Sequence, residues 1–456
     1  MTQPVPRIPK QEQLPASDDI LEIAPGVLRA QLPISIPGLG HVNMYVLEDE
    51  RGVAVVDPGM PGRESFHALE SRLKDLGIPL RRVHSVLVTH SHPDHYGGAG
   101  RLRKDFGAEI IAHRRFRLWW DPKEPPDVDV EDTPDIRAVR PNGKTPWGGE
   151  GYDIPWRRHT QLRMHAKFPR LFGVPHPNRR VDEGDRITLA KREWLAVHTP
   201  GHTEDHLCLF DPDSGVLISG DHVLPSITPH ISGMTNAVDP LAEFFSSLDK
   251  VGELGSQMKL ALPAHGNPFT NVVERVQDIK DHHIERLEKL RSIGDEFDRP
   301  ATVMEIAGHL FSARAQGPMA DSETFAHLEH LRIAGDFSVR EKAGCTITRP
   351  AWVTALRVQV GDHTMKSNII VPSVLRQKDK RIYSEWRLVR QQLNDHVTFF
   401  GVKRGDILLC FFHGHGRAGG ELSFAKQDQL HDVVHADVIL RPDINISIQD
   451  DQRDSE

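Results

Sequence analysis

The stretch His90-Ser91-His92-Pro93-Asp94-His95 constrains this chain more than any other. Four of its six residues carry side chains that ligate metals. They follow directly on Val86-Leu87-Val88, a β-branched apolar run with the character of a buried strand. Tyr96-Gly97-Gly98-Ala99-Gly100 comes next, where the chain must turn tightly into a helix. Ligand-type residues held between two rigid elements suit a metal centre, and core packing does not explain three histidines and an aspartate at a strand terminus.

The same residue types return further along. A strand over 194–197 leads into His198-Thr199-Pro200-Gly201-His202, and one over 216–218 into Ser219-Gly220-Asp221-His222. A third, over 260–262, ends in Pro263-Ala264-His265-Gly266. Ligand types at four successive strand ends are what one site assembled along one sheet edge requires. An earlier strand, 53–56, places Asp57-Pro58-Gly59 at its tip. Histidine is over-represented in the chain, with 27 residues, so ligands beyond the opening cluster are expected.

Around these motifs the N-terminal half reads as strands followed by helices, an α/β pattern. Strands are expected over 21–29, 43–48 and 53–56, a helix over 63–76, and a helix after the motif through Phe106. Residues 114–180 break the pattern with four tryptophans, many prolines and many arginines, and sustain neither a helical nor an alternating period. A loop of that length inside a domain reads as a functional lid, and its basic character suits an anionic substrate. From 272 the texture is helical, over 272–293, 301–311 and from 321 to a stop at Gly335, followed by an extended 337–347. Three helices and a hairpin suggest a winged-helix appendage, for which packing or dimerisation suits the acid-base balance of 323–332 better than nucleic-acid reading. The expected domains are 20–270 (catalytic, with the 114–180 insertion), 271–349 (winged-helix-like) and 350–456 (an unassigned extension). In that extension 376–390 reads as basic and helical, His413-Gly414-His415 as a solvated pair, and 449–456 as a disordered tail.

With 38% hydrophobic and 26% charged residues the composition is that of a soluble globular protein. No apolar run approaches the roughly 18 residues of a membrane helix. The proline-rich start lacks a signal core, and the three scattered cysteines form no disulfide framework, so a cytoplasmic location is expected. A net charge of −8 counts against general nucleic-acid affinity.

Taken together, the ordered set His90-Ser91-His92-Pro93-Asp94-His95, His202, Asp221 and His265 resembles the metallo-β-lactamase-fold hydrolases, in particular the glyoxalase II-like branch with a winged-helix appendage. The resemblance implies a four-layer αββα sandwich of two similar halves. It places one metal on His90, His92 and His202 and a second on Asp94, His95 and His265, with Asp221 bridging. Asp94 and Asp221 are the carboxylates expected at the chemistry, and Asp57 is expected to orient a ligand. Such ligands suit two divalent ions, zinc first, with iron or manganese alternatives. Paired cations roughly 3.5–4 Å apart turn a shared water into a hydroxide that attacks a carbonyl. The expected function is hydrolysis of a thioester or ester: acyl-CoA, acyl-carrier or glutathione-type thioester, or lactone. His206, His222 and His230 are candidates for touching substrate. The same resemblance leaves two other readings open, a single-strand RNA endonuclease and a mononuclear iron persulfide dioxygenase.

Overall fold

The computed structural model describes residues 9–121, 145–148, 156–297 and 299–342, with the strand segments 345–350, 353–360, 363–370, 389–393, 396–403 and 406–412. The chain divides into two compact units, Met1–Ile333 with Val339–Thr348, and Ala334–Ser338 with Arg349–Glu456.

In the first unit β1 (Ile20–Ala24), β2 (Val27–Ile36), β3 (Leu39–Asp49) and β4 (Gly52–Val56) form an antiparallel meander. After α1 (Arg63–Asp75) the chain adds β5 (Val83–Leu87), then α2 (Pro93–Tyr96), α3 (Ala99–Phe106) and β6 (Glu109–His113). Beyond α4 (Trp156–Lys167) and α5 (Pro169–Phe172), β7 (Arg179–Val181) completes a seven-stranded sheet whose later strands are parallel. The second sheet begins with β8 (Arg186–Leu189), β9 (Arg192–His198), β10 (Leu207–Asp211) and β11 (Val216–Gly220). After α6 (Pro240–Glu253), β12 (Leu260–Pro263) pairs parallel to β11 and closes the order β12-β11-β10-β9-β8.

Alternation along each strand builds the layers. Val53 and Val55 point to one face of the first sheet and pack with Phe66, Leu69 and Leu102 from α1 and α3. Their neighbours Ala54 and Val56 point the other way, into a core shared with Trp194, Leu209 and Ile218 of the second sheet. On α6, Leu241, Phe244, Leu248 and Val251 are buried, and Ser247 and Lys250 donate to the carbonyls of Pro200 and His198. The helix starts cleanly because Asp239 accepts from the Ala242 N–H and Pro240 stands at its first position. The result is helix, sheet, sheet, helix. Each large apolar side chain so buried contributes roughly 1.5–3 kcal/mol.

Two expectations are corrected. The strand read over 21–29 is two strands, because Gly26 at φ 71° reverses the chain between β1 and β2. The stretch 114–180 carries α4, α5 and β7, although it shows no apolar period. The reason is physical: Leu162 alone is buried on α4, so no stripe exists to be read.

Three further helices, α7 (Val272–Glu296), α8 (Val303–Leu310) and α9 (Pro318–Ile333), stand where helices were expected. α8 opens on a capping box between Thr302 and Glu305. Beside them β13 (Ala301–Thr302) pairs with β15 (Cys345–Pro350), in a three-stranded sheet with β14 (Phe337–Lys342). The second unit holds an antiparallel pair, β16 (Val353–Val360) and β17 (His363–Ile370). It also holds the antiparallel set β18 (Val389–Leu393), β19 (His396–Lys403) and β20 (Asp406–Phe412). The expected helix over 376–390 falls outside the described residues except at its end, which is strand; His413, His415 and 449–456 also lie outside them. Among the described residues no helix is long and apolar enough to cross a membrane.

Candidate metal centre

Because β4 runs parallel to β5 and β11 to β12, their C-terminal ends emerge at matching edges of the two sheets. His90, His92, Asp94 and His95 follow β5, His202 lies between β9 and β10, Asp221 follows β11 and His265 follows β12. All seven are drawn together. His92 Nδ1 lies 2.9 Å from His90 Nε2 and 3.1 Å from His202 Nε2. On the other side Asp94 Oδ2 lies 3.4 Å from His95 Nε2 and 3.5 Å from His265 Nε2. Asp221 faces both groups: its Oδ2 is 3.5 Å from His202 Nε2 and 3.6 Å from His95 Nε2, and its Oδ1 is 3.3 Å from His265 Nε2. These residues are buried apart from His92, which is half-buried.

The partners behind the rings set their tautomers. His202 Nδ1 donates to the carbonyl of His230 at 2.7 Å, and His265 Nδ1 to that of His41 at 2.6 Å. His95 Nδ1 donates to Asp57 Oδ2 at 2.9 Å. The Thr89 hydroxyl donates to the same carboxylate at 2.8 Å, leaving its oxygen to accept from His90 Nδ1 at 3.1 Å. Each of these four rings therefore turns its Nε2 inward. One aspartate, Asp57, orients a histidine in each group.

Electrostatics separates the two halves. Burial, reinforced by neighbouring imidazoles, holds His90 well below the usual histidine range and His92 at about 3, so these rings are neutral. Burial pushes His95 and His265 the same way, but Asp94 and Asp221 outweigh it, raising His95 well above its ordinary value and His265 to about 10. Burial would raise the two carboxylates, yet those imidazoles hold both well below their normal range. Protons thus collect where the carboxylates converge. His95 Nε2, His265 Nε2 and Asp221 Oδ1 are buried without a hydrogen-bond partner. Unpaired buried ligand atoms beside two carboxylates that demand positive charge fit divalent cations, which would take the place of those protons.

The three histidines expected near substrate are placed differently from one another. His206 is fully buried; its Nε2 accepts the Asp221 N–H at 3.0 Å and its Nδ1 meets Thr199 Oγ1 at 2.8 Å. Gly220, at φ 50°, allows this approach, since a Cβ there would stand 2.7 Å from His206 Nε2. His222 is also fully buried, its ring 5.1 Å from that of Phe244. His230 is half-buried, with its ring 3.5 Å from Glu323 on α9.

Several contributors escape sequence reasoning. Glu12 is buried and accepts from the N–H groups of Ser226 and Ile227, while Arg275 donates to the carbonyls of Leu224 and Ile227. Together they fix the loop after Asp221 from two sides. Asp205 accepts from the Ser91 hydroxyl at 3.0 Å, inside the ligand motif, and burial pushes its carboxyl up to about 7. The only signal for Thr89 was its place before His90. Another cluster, the buried His283 and His327 with the half-buried Glu323, has ligand-like composition, and the i, i+4 spacing on α9 could have revealed it. Arg286 pairs with Glu323, and His283 Nδ1 meets His327 Nε2 at 2.9 Å, while His283 Nε2 is buried without a hydrogen-bond partner.

The family model of the metallo-beta-lactamase superfamily matches residues 37–291. A probable metallo-hydrolase, YqjP of Bacillus subtilis, is 25% identical over 67% of this chain and 91% of its own. An atrochrysone carboxyl ACP thioesterase of Passalora fulva is 26% identical over 72% of this chain and 81% of its own. Among solved structures, a metallo-beta-lactamase family protein of Thermus thermophilus is 28% identical with a TM-score of 0.56, covering 72% of this chain and 100% of its own. A beta-lactamase domain protein from Burkholderia ambifaria is likewise 28% identical, with a TM-score of 0.57 over 75% and 97%. The chain belongs to the metallo-beta-lactamase superfamily. With its paired His/Asp clusters it is a metal-dependent hydrolase.

Proposed function

We propose that this chain is a two-metal hydrolase of acyl thioesters carried on a coenzyme or carrier-protein arm. His90, His92 and His202 would hold one cation, and Asp94, His95 and His265 the other, with Asp221 between them. The observation that carries this reading is Asp221 itself, whose two oxygens face nitrogens of both groups. Zinc suits imidazole and carboxylate ligands, as do iron and manganese. When bound, such a pair activates water near neutral pH and stabilises the oxyanion that develops on an attacked carbonyl.

The chain's own residues prepare that chemistry. Asp57 presents His95 directly and His90 through Thr89; the carbonyls of His41 and His230 present His265 and His202. His206 pins the backbone of Asp221, so the bridging carboxylate keeps its aim. Burial of the ligands excludes bulk water and strengthens each interaction. The thioester choice draws on the thioesterase named among the relatives and on the basic residues Arg157, Arg158, Arg163, Lys167 and Arg170 of the 114–180 insertion.

Purified, metal-loaded protein is expected to hydrolyse short acyl-CoA and acyl-carrier thioesters, and Asp221→Ala to lose that activity by orders of magnitude. Full metal loading with no turnover of thioesters, glutathione thioesters or lactones would defeat the reading.

A further inference from the structure

The segment from Trp156 to Phe172 contains no acidic residue, in a chain whose net charge is −8. Arg157, Arg158, Arg163, Lys167 and Arg170 are all exposed. None forms an ion pair among the described residues: Arg157 stacks on Trp156, Lys167 on Phe168, and Arg158 reaches only Gln161. Large apolar side chains stand out among them. Trp156 is 73% exposed and Leu171 64%, with Met164, Phe168 and Phe172 each above 40%. Isolated exposed apolar groups are ordinary, but five along α4, α5 and the residue between them, ringed by unpaired cations, mark an interaction surface.

This surface is anchored beside the metal motif. A Cβ on Gly100 of α3 would stand 1.7 Å from the Gly173 carbonyl oxygen, so the end of α5 lies directly on the helix that follows the ligands. Arg103 of α3 donates to the His176 carbonyl at 2.5 Å. The ring of His165 on α4 stacks on Phe172 at 4.6 Å and meets Trp120 at 6.2 Å. A partner seated on α4 and α5 would be held next to the site's ligands.

We propose that the exposed face of α4 and α5 docks an acidic acyl-carrier protein and so presents its thioester to the metal centre. This rests on the thioester reading above. Acidic helices flanking an apolar contact complement five unpaired cations around Trp156 and Leu171, and charge complementarity of this kind governs encounter and orientation. Met164 and Leu171 add apolar surface on which bases do not stack, and the net charge of −8 counts against general nucleic-acid affinity, which together favour a protein over single-stranded RNA. A relative of similar length is named for action on an ACP.

The test compares one acyl group on a purified acidic acyl-carrier protein and on pantetheine, using the full-length, metal-loaded chain. KM for the acyl-carrier is expected to rise with salt, as screened contacts require, while that for acyl-pantetheine stays flat. Arg163→Glu with Lys167→Glu is expected to raise KM for the acyl-carrier about tenfold and leave acyl-pantetheine turnover unchanged. That unchanged turnover also shows that the variant folds. An unchanged acyl-carrier KM in the variant overturns the proposal. If no thioester is cleaved at all, the functional reading fails, and docking is read from titration of isotope-labelled carrier protein. Binding to the wild type that the variant loses upholds the surface. No carrier binding overturns it, as does capture by the same residues of phosphatidylglycerol vesicles or single-stranded RNA in its place.

Discussion

Asp57→Asn isolates the claim that one carboxylate orients ligands in both halves of the site. Asp57 sits at φ 52°, a left-handed conformation that asparagine also adopts, so the backbone turn survives. The carboxylate accepts three bonds, from the Thr89 N–H at 2.8 Å, the Thr89 hydroxyl at 2.8 Å and His95 Nδ1 at 2.9 Å. An amide has one accepting oxygen. If it keeps the Thr89 N–H, its NH2 opposes two donors; if it turns, the Thr89 N–H loses its partner. In the first case His95 is driven to carry its proton on Nε2, the nitrogen that must ligate. A charge-assisted hydrogen bond of this kind is worth about 1.5–3 kcal/mol, and changes behind metal ligands cost roughly 10–100-fold in affinity or activity. Zinc affinity by chelator competition should fall within that range, with kcat/KM falling alongside. Nitrogen chemical shifts should show the His95 tautomer altered. Unchanged zinc affinity together with an unchanged His95 tautomer would show that Asp57 does not orient these ligands.

Two further outcomes follow from the buried charges. His95 is raised well above its ordinary value and His265 to about 10, so both carry protons at neutral pH until a cation replaces them. Zinc binding near pH 7 should then release about two protons per chain, read by calorimetry in buffers of different ionisation enthalpy. Zinc uptake with no proton release would count against the charge assignment. Asp205, raised to about 7 from 3.8, binds its proton more tightly folded than unfolded. Its contribution is therefore complete below about pH 4 and lost as pH climbs toward 7, by up to about 4 kcal/mol. Asp205→Asn should flatten that part of the stability profile in urea melts at pH 5 and 8, and parallel profiles would contradict it.

The ligands were legible because a sheet edge gathers residues that stand at strand ends in sequence, and strand ends can be read from apolar runs. Val86-Leu87-Val88 before His90, and Leu260-Ala261-Leu262 before His265, located their ligands without any knowledge of contacts. What sequence could not show is which backbone carbonyl meets which ring. The pairings of His265 with His41 and of His202 with His230 join segments 224 and 28 residues apart and leave no periodic trace. Burial was equally invisible for His206 and His222, since a histidine behind a site reads the same as one facing substrate. α4 went unread for the opposite reason: a helix with a single buried residue carries no stripe. Exposed apolar side chains are what make that helix a surface.

The proposed hydrolase depends on a pair of cations shared through Asp221. Metal content per chain, measured on active protein by plasma mass spectrometry for the wild type and Asp221→Ala, tests it most directly. The wild type is expected to hold close to two divalent ions, and the variant to retain fewer and lose its activity on thioesters. One iron per chain with oxygen uptake, or full activity at a single equivalent of metal, would contradict it.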